Sequence, residues 1–423
     1  MKIIHVNPPI LDNQPGFHYR LNQPIGANIL NAILEQRGHE VAYIDAEALE
    51  LSTEDAAKLI LKQEPHAVGI TATTRNYPST VAFIGKLRQL KPQIYIAIGG
   101  PHCSALPQEC AEKSGADAIV IGEADLNICD IFENQPKGIV QGQMPTDLGA
   151  LPIPAWHRAV PKVNQYLGNI PRFAAPEGCN LWNRACLFAK LCKFCSLPVY
   201  RGKPVRYLPP EKIVEETRLL LDTYHIQHLF VYSDSLFGNN AECNSWLASV
   251  CQAIRKANLD FTWKTQGHPS KRFNTIEVLE AAYAAGCRAI MVGIEAASQK
   301  VLDAIGKHIT LEDIEATLEN MKKAKIDCFG FFMVGCLEET EEEFQKTLKR
   351  AAEFKRRKLI RWSQVTVMSC EPGSQLWDMA KKNNWFVEDF KPNWYHYEAS
   401  LNLPWASRER INQRREELAR VLA

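Results

Sequence analysis

The sequence predicts an α/β protein: a doubly wound parallel sheet first, then a partial parallel barrel of six strand–helix units. Short apolar runs alternate with helical patterns of about ten residues, and they do so in two separate series. A proline-rich stretch, Pro145 to Pro161 (PTDLGALPIPAWHRAVP), lies between the two series and reads as a linker. Small, polar or acidic residues follow the predicted strands, at the carboxyl ends where such sheets and barrels bind ligands.

In the first series, Lys2 to Val6 (KIIHV) reads as a buried strand stopped by Asn7-Pro8-Pro9. Ile25, Ile29, Leu30, Ile33 and Leu34 keep a helical period that ends at Gly38. Strands are predicted at 41–44, 67–71, 94–98 and 118–121, with helices at 53–63, 79–90 and 107–114 between them. The rim of this sheet comprises Asn7 to Pro9, Thr71 to Tyr77, Gly99 to Ser104 and Gly122 to Asp125. The first strand is followed by no G-x-G-x-x-G, and the sheet has no G-x-x-x-x-G-K-[ST], which argues against a dinucleotide or a P-loop nucleotide. His102 follows a Gly-Gly-Pro turn at a strand end, where a ligand contact is expected, although exposed loop histidines are common. His66 precedes its strand instead and is expected to be incidental.

Composition narrows the class. The 423 residues suffice for two to three domains, and a net charge of +1 gives no electrostatic case for nucleic acid or an anionic membrane. Thirteen cysteines, an odd number, do not suggest a disulfide framework and point to a reducing cytoplasm. The start, MKIIHVNPPI, lacks the apolar run of a signal peptide, and no transmembrane segment is expected.

The second series is predicted to begin with a strand at 172–175, and it reaches a last strand at 363–369. Its first loop lies in EGCNLWNRACLFAKLCKFCSLP, with Cys179, Cys186, Cys192 and Cys195 in fewer than twenty residues. Thiolates at such spacing converge on one soft metal centre, zinc or an iron–sulfur cluster. Buried structural thiols are the plainer alternative, but Asn180, Asn183, Arg184, Lys190 and Lys193 are poor core material. Strand ends further on carry Ser233-Asp234-Ser235, Glu295 with Ser298, and Gly335-Cys336-Leu337-Glu338.

Taken together, IIHVNPP, IAIGGPHCSALPQEC, IVIGEAD, EGC…CKFCSLP, LFVYSDSLFGNN, AAGCRAIMVGIEAASQKVLDAIGK and VMSCEPGSQLW resemble the cobalamin-binding-domain radical S-adenosylmethionine (SAM) enzymes. The resemblance covers about residues 1–385 and implies a cobalamin-binding domain at 1–145 and a linker at 146–168. It further implies a radical SAM partial barrel at 169–385, leaving 386–423 without a role. It implies a 4Fe–4S cluster on three thiolates, SAM on the open iron, and cobalamin on the N-terminal rim. The rim residues it marks are Asn7, Thr71, Thr73, Asn76, Tyr77, Gly99, Gly100, His102, Gly122 and Glu123. Cys179, Cys192 and Cys195 are the favoured cluster ligands, with Cys186 the alternative first ligand, because the family's C-x-x-x-C-x-x-C is interrupted here by an insertion. Phe194 matches a position packing on cluster or adenine, or simply on core. Ser233, Asp234 and Ser235 fall where relatives hold the SAM ammonium, although Asp234 also reads as a helix cap. Glu295, with Ser298, falls where relatives bind the ribose or aminocarboxyl end, and Glu338 completes the second half of a G-x-I-x-G-x-x-E pattern or simply suits a helix start. A second departure is GCLEET, where relatives carry a Pro-Gly pair.

The implied activity is methylation of an unactivated carbon through two uses of SAM, one as methyl donor and one as radical source. A cyclase or rearrangement without methyl transfer is the alternative on this scaffold, and a non-catalytic cobalamin or iron–sulfur sensor is a third reading. A small-molecule or lipid substrate and an external flavodoxin- or ferredoxin-like electron donor are expected. The aromatic group Trp385, Phe386, Phe390, Trp394, Tyr395 and Tyr397 could line an apolar pocket or pack against the barrel.

Overall fold

The computed structural model describes residues 1–9, 23–168, 170, 176–202, 204–388 and 398–423. Two compact units emerge: Met1–Asn180 with Val199–Gly202 and Leu219–His228, and Leu181–Pro198 with Lys203–Arg218 and Leu229–Ala423.

The first unit is built on strands β1 (Lys2–Asn7), β2 (Glu40–Asp45), β3 (Ala67–Thr71), β4 (Tyr95–Gly99), β5 (Ala118–Ile121), β6 (Gly138–Gln141) and β7 (Ala159–Val160). Its helices are α1 (Ile25–Gln36), α2 (Thr53–Leu61), α3 (Tyr77–Leu90), α4 (Pro101–Ala105), α5 (Pro107–Lys113) and α6 (Ile128–Asn134). The strands run parallel in the order β6-β5-β4-β3-β1-β2-β7. Strand alternation builds two cores. Ile4 and Val6 join Val68, Ile70, Ile96 and Ile98 under α2 and α3, while Ile3 joins Val41, Ala97 and Val120 under α1 and α6. Burying each such branched side chain contributes roughly 1.5–3 kcal/mol. The order reverses between β1 and β3, so the ligand crevice of this sheet is expected over Asn7 and the segment after Thr71. The stretch expected to be a linker is instead partly sheet: β7 pairs with β2, and Trp156 is buried.

The second series contains β8 (Glu177–Leu181), β9 (Asn183–Arg184), α7 (Leu197–Arg201), β10 (Arg206–Tyr207), α8 (Pro210–Tyr224), β11 (His228–Tyr232), α9 (Ala241–Lys256) and β12 (Thr262–Gly267). It continues through α10 (Ile276–Ala284), β13 (Cys287–Glu295), α11 (Gln299–Ala304), α12 (Leu311–Lys323), β14 (Asp327–Val334), α13 (Glu341–Arg356), β15 (Trp362–Val367), α14 (Gln375–Lys382) and α15 (Arg408–Leu422). Its sheet has the order β15-β14-β13-β12-β11-β8, the succession of a six-stranded partial barrel. The strand expected at 172–175 lies outside the described residues, and the first strand of this sheet is β8, which carries Cys179 itself. The C-terminal segment, for which the sequence suggested no role, packs on the barrel. Helix α15 packs on α13 and β15, and its Leu422 carbonyl accepts from Lys355 Nζ at 2.8 Å and Ser363 Oγ at 3.5 Å. It follows α14, the helix directly after the sixth strand. Trp385 packs edge-on against Trp405, and Phe386 against Trp377, so these two aromatics are packing residues. Phe390, Trp394, Tyr395 and Tyr397 lie outside the described residues.

Candidate active site

After β8 the chain turns through Ala185, whose φ of +75° is steadied by its N–H donating to Asp234 Oδ2 at 2.7 Å. The next turns bring three thiols within electrostatic range of one another: Cys186 and Cys192 both act on Cys195, and Cys192 acts on Cys186. Burial pushes Cys186 up to about 11 and Cys195 up to about 12, and it raises Cys192 as well. Thiols raised in this way are protonated at neutral pH, so a metal that binds them releases protons. Among the described residues no three side chains are arranged for a single metal ion. A four-iron cluster is a larger body, and three soft sulfur donors on one loop suit it.

Cys179 lies in a strand rather than in the loop. It sits within β8, 1% exposed, its N–H donating to Gln23 Oε1 at 3.2 Å and its sulfur in range of the Tyr166 phenol. A residue inside a paired strand has its direction fixed by the pleat, whereas Cys186, Cys192 and Cys195 share one loop. Cys186, Cys192 and Cys195 follow together after β8, and the electrostatic contacts given link these three.

The loop is held by buried anchors. Phe188 stacks on His268 with centroids 3.9 Å apart and planes 4° from parallel. Burial, helped by the Lys307 charge, brings the His268 imidazole down to about 3, so it is neutral at pH 7 and its Nε2 lies 3.1 Å from the Lys307 carbonyl. Lys193 N–H donates to the Ile305 carbonyl at 2.9 Å, and Leu376 N–H to the Lys193 carbonyl at 2.8 Å. Gly306, at φ +71°, makes the close approach possible, because a Cβ there would lie 2.2 Å from the Leu191 oxygen.

Around this loop, Ser233 is buried and its Oγ has no hydrogen-bond partner among the described residues, as suits a hydroxyl awaiting a ligand. Ser235 Oγ instead donates to the Phe237 carbonyl. Glu295 ends β13 at φ +62° and pairs with Lys307 at 2.7 Å, both side chains under 10% exposed. Burial disfavours a charged Lys307, but the Glu295 carboxylate, with the Cys192 and Cys186 sulfurs, holds the ammonium above its usual range. Sequence reasoning missed Lys307, which looks like an ordinary surface lysine beyond α11. Ser298 caps α11 and hydrogen-bonds Glu343. Phe194 is half-buried. Glu338 is exposed and faces Lys300 at 3.4 Å. Its neighbour Glu339 is the buried acid: it accepts from Gly335 N–H at 2.7 Å and pairs with Arg414.

At the rim of the first unit, Asn7 Nδ2 donates to Asp45 at 2.8 Å and to Glu47 at 3.2 Å, while its Oδ1 accepts from Asn76 at 3.3 Å. Thr73 N–H donates to Asn76 Oδ1 at 2.7 Å. Burial raises Asp45 and lifts Glu47 to about 7, against the charge of Arg75. These two acids and Tyr166, which donates to Asp45 at 2.9 Å, were not legible in the sequence. Thr71 is exposed at the end of β3, and Gly99 and Gly122 are half-open. Gly100, at φ +106°, lets the β4 end pass the Ala72 carbonyl, 2.8 Å from where a Cβ would stand. His102 is 2% exposed and lies against the Tyr77 ring at 4.0 Å, and its Nε2 has no partner among the described residues. Burial brings it to about 4, which leaves a neutral ring. Glu123 faces Arg201 at 3.7 Å. His66 accepts from Lys2 N–H at the opposite end of the sheet and takes no part. A glycine-cut rim with one unsatisfied buried imidazole fits a large ligand such as cobalamin.

Comparison with known proteins agrees with this layout. The B12 binding domain family matches residues 20–131, and the radical SAM superfamily matches 181–351, a span that begins after Cys179 and includes the other three cysteines. An uncharacterized methyltransferase of Pyrococcus horikoshii is 30% identical over 421 residues, 94% of this chain and 86% of that protein. Cytidylyl-2-hydroxyethylphosphonate methyltransferase of Streptomyces wedmorensis is 24% identical over 382 residues, 75% of this chain and 69% of its own length. Among solved structures, the cobalamin-dependent SAM radical enzyme OxsB, with aqua-cobalamin and SAM bound, matches with a TM-score of 0.75 at 13% identity over 95% of this chain. This chain spans 64% of that protein, less than two thirds of its length. The radical SAM methyltransferase TsrM from Kitasatospora setae, with cobalamin and a 4Fe–4S cluster bound, gives 0.69 at 17% identity, covering 90% of this chain and 78% of TsrM. With both domain families present in this order and a relative aligned over nearly its whole length, the chain belongs to the cobalamin-binding-domain radical SAM enzymes.

Proposed function

We propose that this enzyme transfers a methyl group from SAM to an unactivated carbon by way of cobalamin, with Cys186, Cys192 and Cys195 as the ligands of a 4Fe–4S cluster. The observation that carries the reading is the convergence of three thiols on one loop. Three protein ligands leave one iron open, which a SAM-cleaving cluster requires and a closed structural site does not. When bound, the cluster supplies an electron to SAM and cobalamin carries the methyl group. The chain's own residues bind and orient. Ser233 Oγ is available to the SAM aminocarboxyl end, and Asp234 tethers the cysteine loop at Ala185. The Glu295–Lys307 pair fixes charge beside the thiols. Neutral His102, with Asn7, Thr71, Thr73, Asn76, Tyr77, Gly99, Gly100, Gly122 and Glu123, forms the corrin-facing rim. The relatives named as methyltransferases favour methyl transfer over rearrangement.

The test is anaerobic reconstitution followed by incubation with methyl-labelled SAM and reductant. Methyl transfer predicts label retained on the holoprotein after SAM is removed, together with 5′-deoxyadenosine. Deoxyadenosine without retained label would mean a radical rearrangement, and neither product would mean a binding protein. For the ligand set, Cys186→Ala, Cys192→Ala and Cys195→Ala each lose most cluster iron, whereas Cys179→Ala keeps it. Loss of iron in Cys179→Ala with retention in Cys186→Ala would reverse the assignment.

A further inference from the structure

Two thiols of the first unit have no part in the chemistry above. Cys103 lies on α4 and Cys110 on α5, both fully buried in the core that holds Phe83 and Ile98, and both are free. Their side chains are hydrogen-bonded to each other, and the Tyr77 phenol extends the row to three by reaching the Cys110 sulfur. That phenol also stands 3.4 Å from the Glu109 carbonyl. The bond from Cys103, aided by Tyr77 and opposed by burial, holds the Cys110 thiol below its usual range. The same bond, together with burial, holds Cys103 well above it. Cys110 is therefore the better nucleophile of the pair, and Cys103 keeps its proton.

The pair is tied to the rim of the sheet. Cys103 stands between Ser104 and His102, whose ring rests on Tyr77. Ser104 Oγ donates to the Gly100 carbonyl at 3.0 Å and accepts from Gly122 N–H at 2.9 Å. His102 N–H donates to the Ala72 carbonyl at 3.1 Å. A shift of α4 thus displaces Gly100, His102 and Gly122 together. Helices α4 and α5 have only five and seven residues, and neither is capped at its start by a side chain. Such short, uncapped helices open locally at low cost, which admits a reagent to the buried sulfurs.

We propose that Cys103 and Cys110 form a reversible disulfide that weakens the hold of this rim on cobalamin. The proposal rests on the reading that cobalamin binds at the rim. The Cys110 sulfur attacks a low-molecular-weight disulfide such as oxidised glutathione and releases one glutathione thiol; Cys103 then displaces the Cys110-bound glutathione as the second. The two protein thiols lose two electrons and two protons, and the glutathione disulfide takes up both. A disulfide bond of about 2.05 Å is far shorter than any non-bonded contact between sulfurs, so closing it pulls α4 against α5 and moves the three rim residues.

The test equilibrates the full-length chain in glutathione buffers of graded redox poise. Free thiols are then alkylated and the cysteines mapped by mass spectrometry after cleavage at Glu109, which separates the pair. A linked Cys103–Cys110 fraction that rises with oxidised glutathione and disappears with dithiothreitol is expected. Titration with hydroxocobalamin, followed by its visible absorbance, should show binding about fivefold or more weaker in the linked form than in the reduced one. Cys110→Ala should show no such difference. By reciprocity cobalamin must disfavour the link by the same factor in the wild type, which keeps the test decisive should the variant not fold. Alkylation of both cysteines at every poise, or a link that leaves cobalamin affinity unchanged, overturns the proposal. A reduced chain that takes up no cobalamin overturns the rim reading and with it the coupling, whereas the thiol map decides the link by itself.

Discussion

Replacing Lys307 by methionine tests the energetic weight of the ion pair beside the thiols. Lys307 Nζ and Glu295 Oε1 stand 2.7 Å apart with both side chains under 10% exposed, so solvent screens them little. At an effective dielectric of about 20, that separation corresponds to an attraction of about 6 kcal/mol. Most of it offsets the desolvation of the two charges, and the larger consequence is what remains when one partner goes. A lone buried carboxylate costs about 3–5 kcal/mol. The site cannot relax easily, because a Cβ at Gly293 would already lie 2.4 Å from Glu295 Oε1, and Glu295 holds a left-handed φ. Urea unfolding of the metal-free protein, followed by fluorescence of the buried Trp182 and Trp263, gives the comparison. Lys307→Met should lose about 3 kcal/mol or more, and adding Glu295→Gln should restore a large part of it. A single-variant loss below about 1 kcal/mol, or a double variant whose loss equals the sum of the singles, would refute the reasoning.

Two further outcomes follow from the same geometry. Gly306→Ala meets both a left-handed φ, costing about 1–2 kcal/mol, and the Leu191 carbonyl, which must retreat from 2.2 Å. Because Leu191 adjoins Cys192, the variant should fold yet bind much less iron, measured as iron and acid-labile sulfide per chain with circular dichroism as the control. Glu339 gives a pH signature. Burial lifts it from 4.5 to about 7, so the folded state keeps its proton after the unfolded chain has lost it. Stability from this group is fully present below about pH 4.5, falls as pH rises towards 7 by up to about 3 kcal/mol, and is level above that. Glu339→Gln removes the slope, so its melting temperature should gain on wild type between pH 5 and pH 8; a gap that moves the other way contradicts this.

The sequence was most informative where periodicity and breakers agreed. The strands at 67–71 and 118–121 stand where apolar spacing put them. Two kinds of element escaped. Strand β6 is an edge strand with little burial, so it has no apolar alternation to read. Helix α15, RERINQRREELARVL, reads as a solvated helix, but it docks through Ile411, Leu418, Leu422 and a fully buried Arg414. At the site, spacing alone could not choose between Cys179 and Cys186, because the choice depends on whether Cys179 lies in the strand or after it. Similarly, Glu338 and Glu339 are adjacent acids, and only the left-handed φ of 57° at Glu338 decides which one turns inward.

That last turn shows how the C-terminal segment belongs to the barrel. Where the resembled pattern has a Pro-Gly pair, this chain places Gly335 at φ +71° and Glu338 at φ +57°, and a non-glycine residue there costs about 1–2 kcal/mol. The turn is held from both sides. Glu339 accepts from Gly335 N–H at 2.7 Å, and Thr340 caps α13 ahead of three glutamates that suit the helix dipole. From α15 and its approach, Arg414 donates to the Glu339 carbonyl at 2.6 Å, and Trp405 donates to the Cys336 carbonyl at 2.8 Å. The proline's rigidity is thus replaced by contacts from residues some seventy positions later. The rim between β14 and α13 is thus held in part by α15 and its approach, so the chain beyond residue 398 packs as part of the barrel.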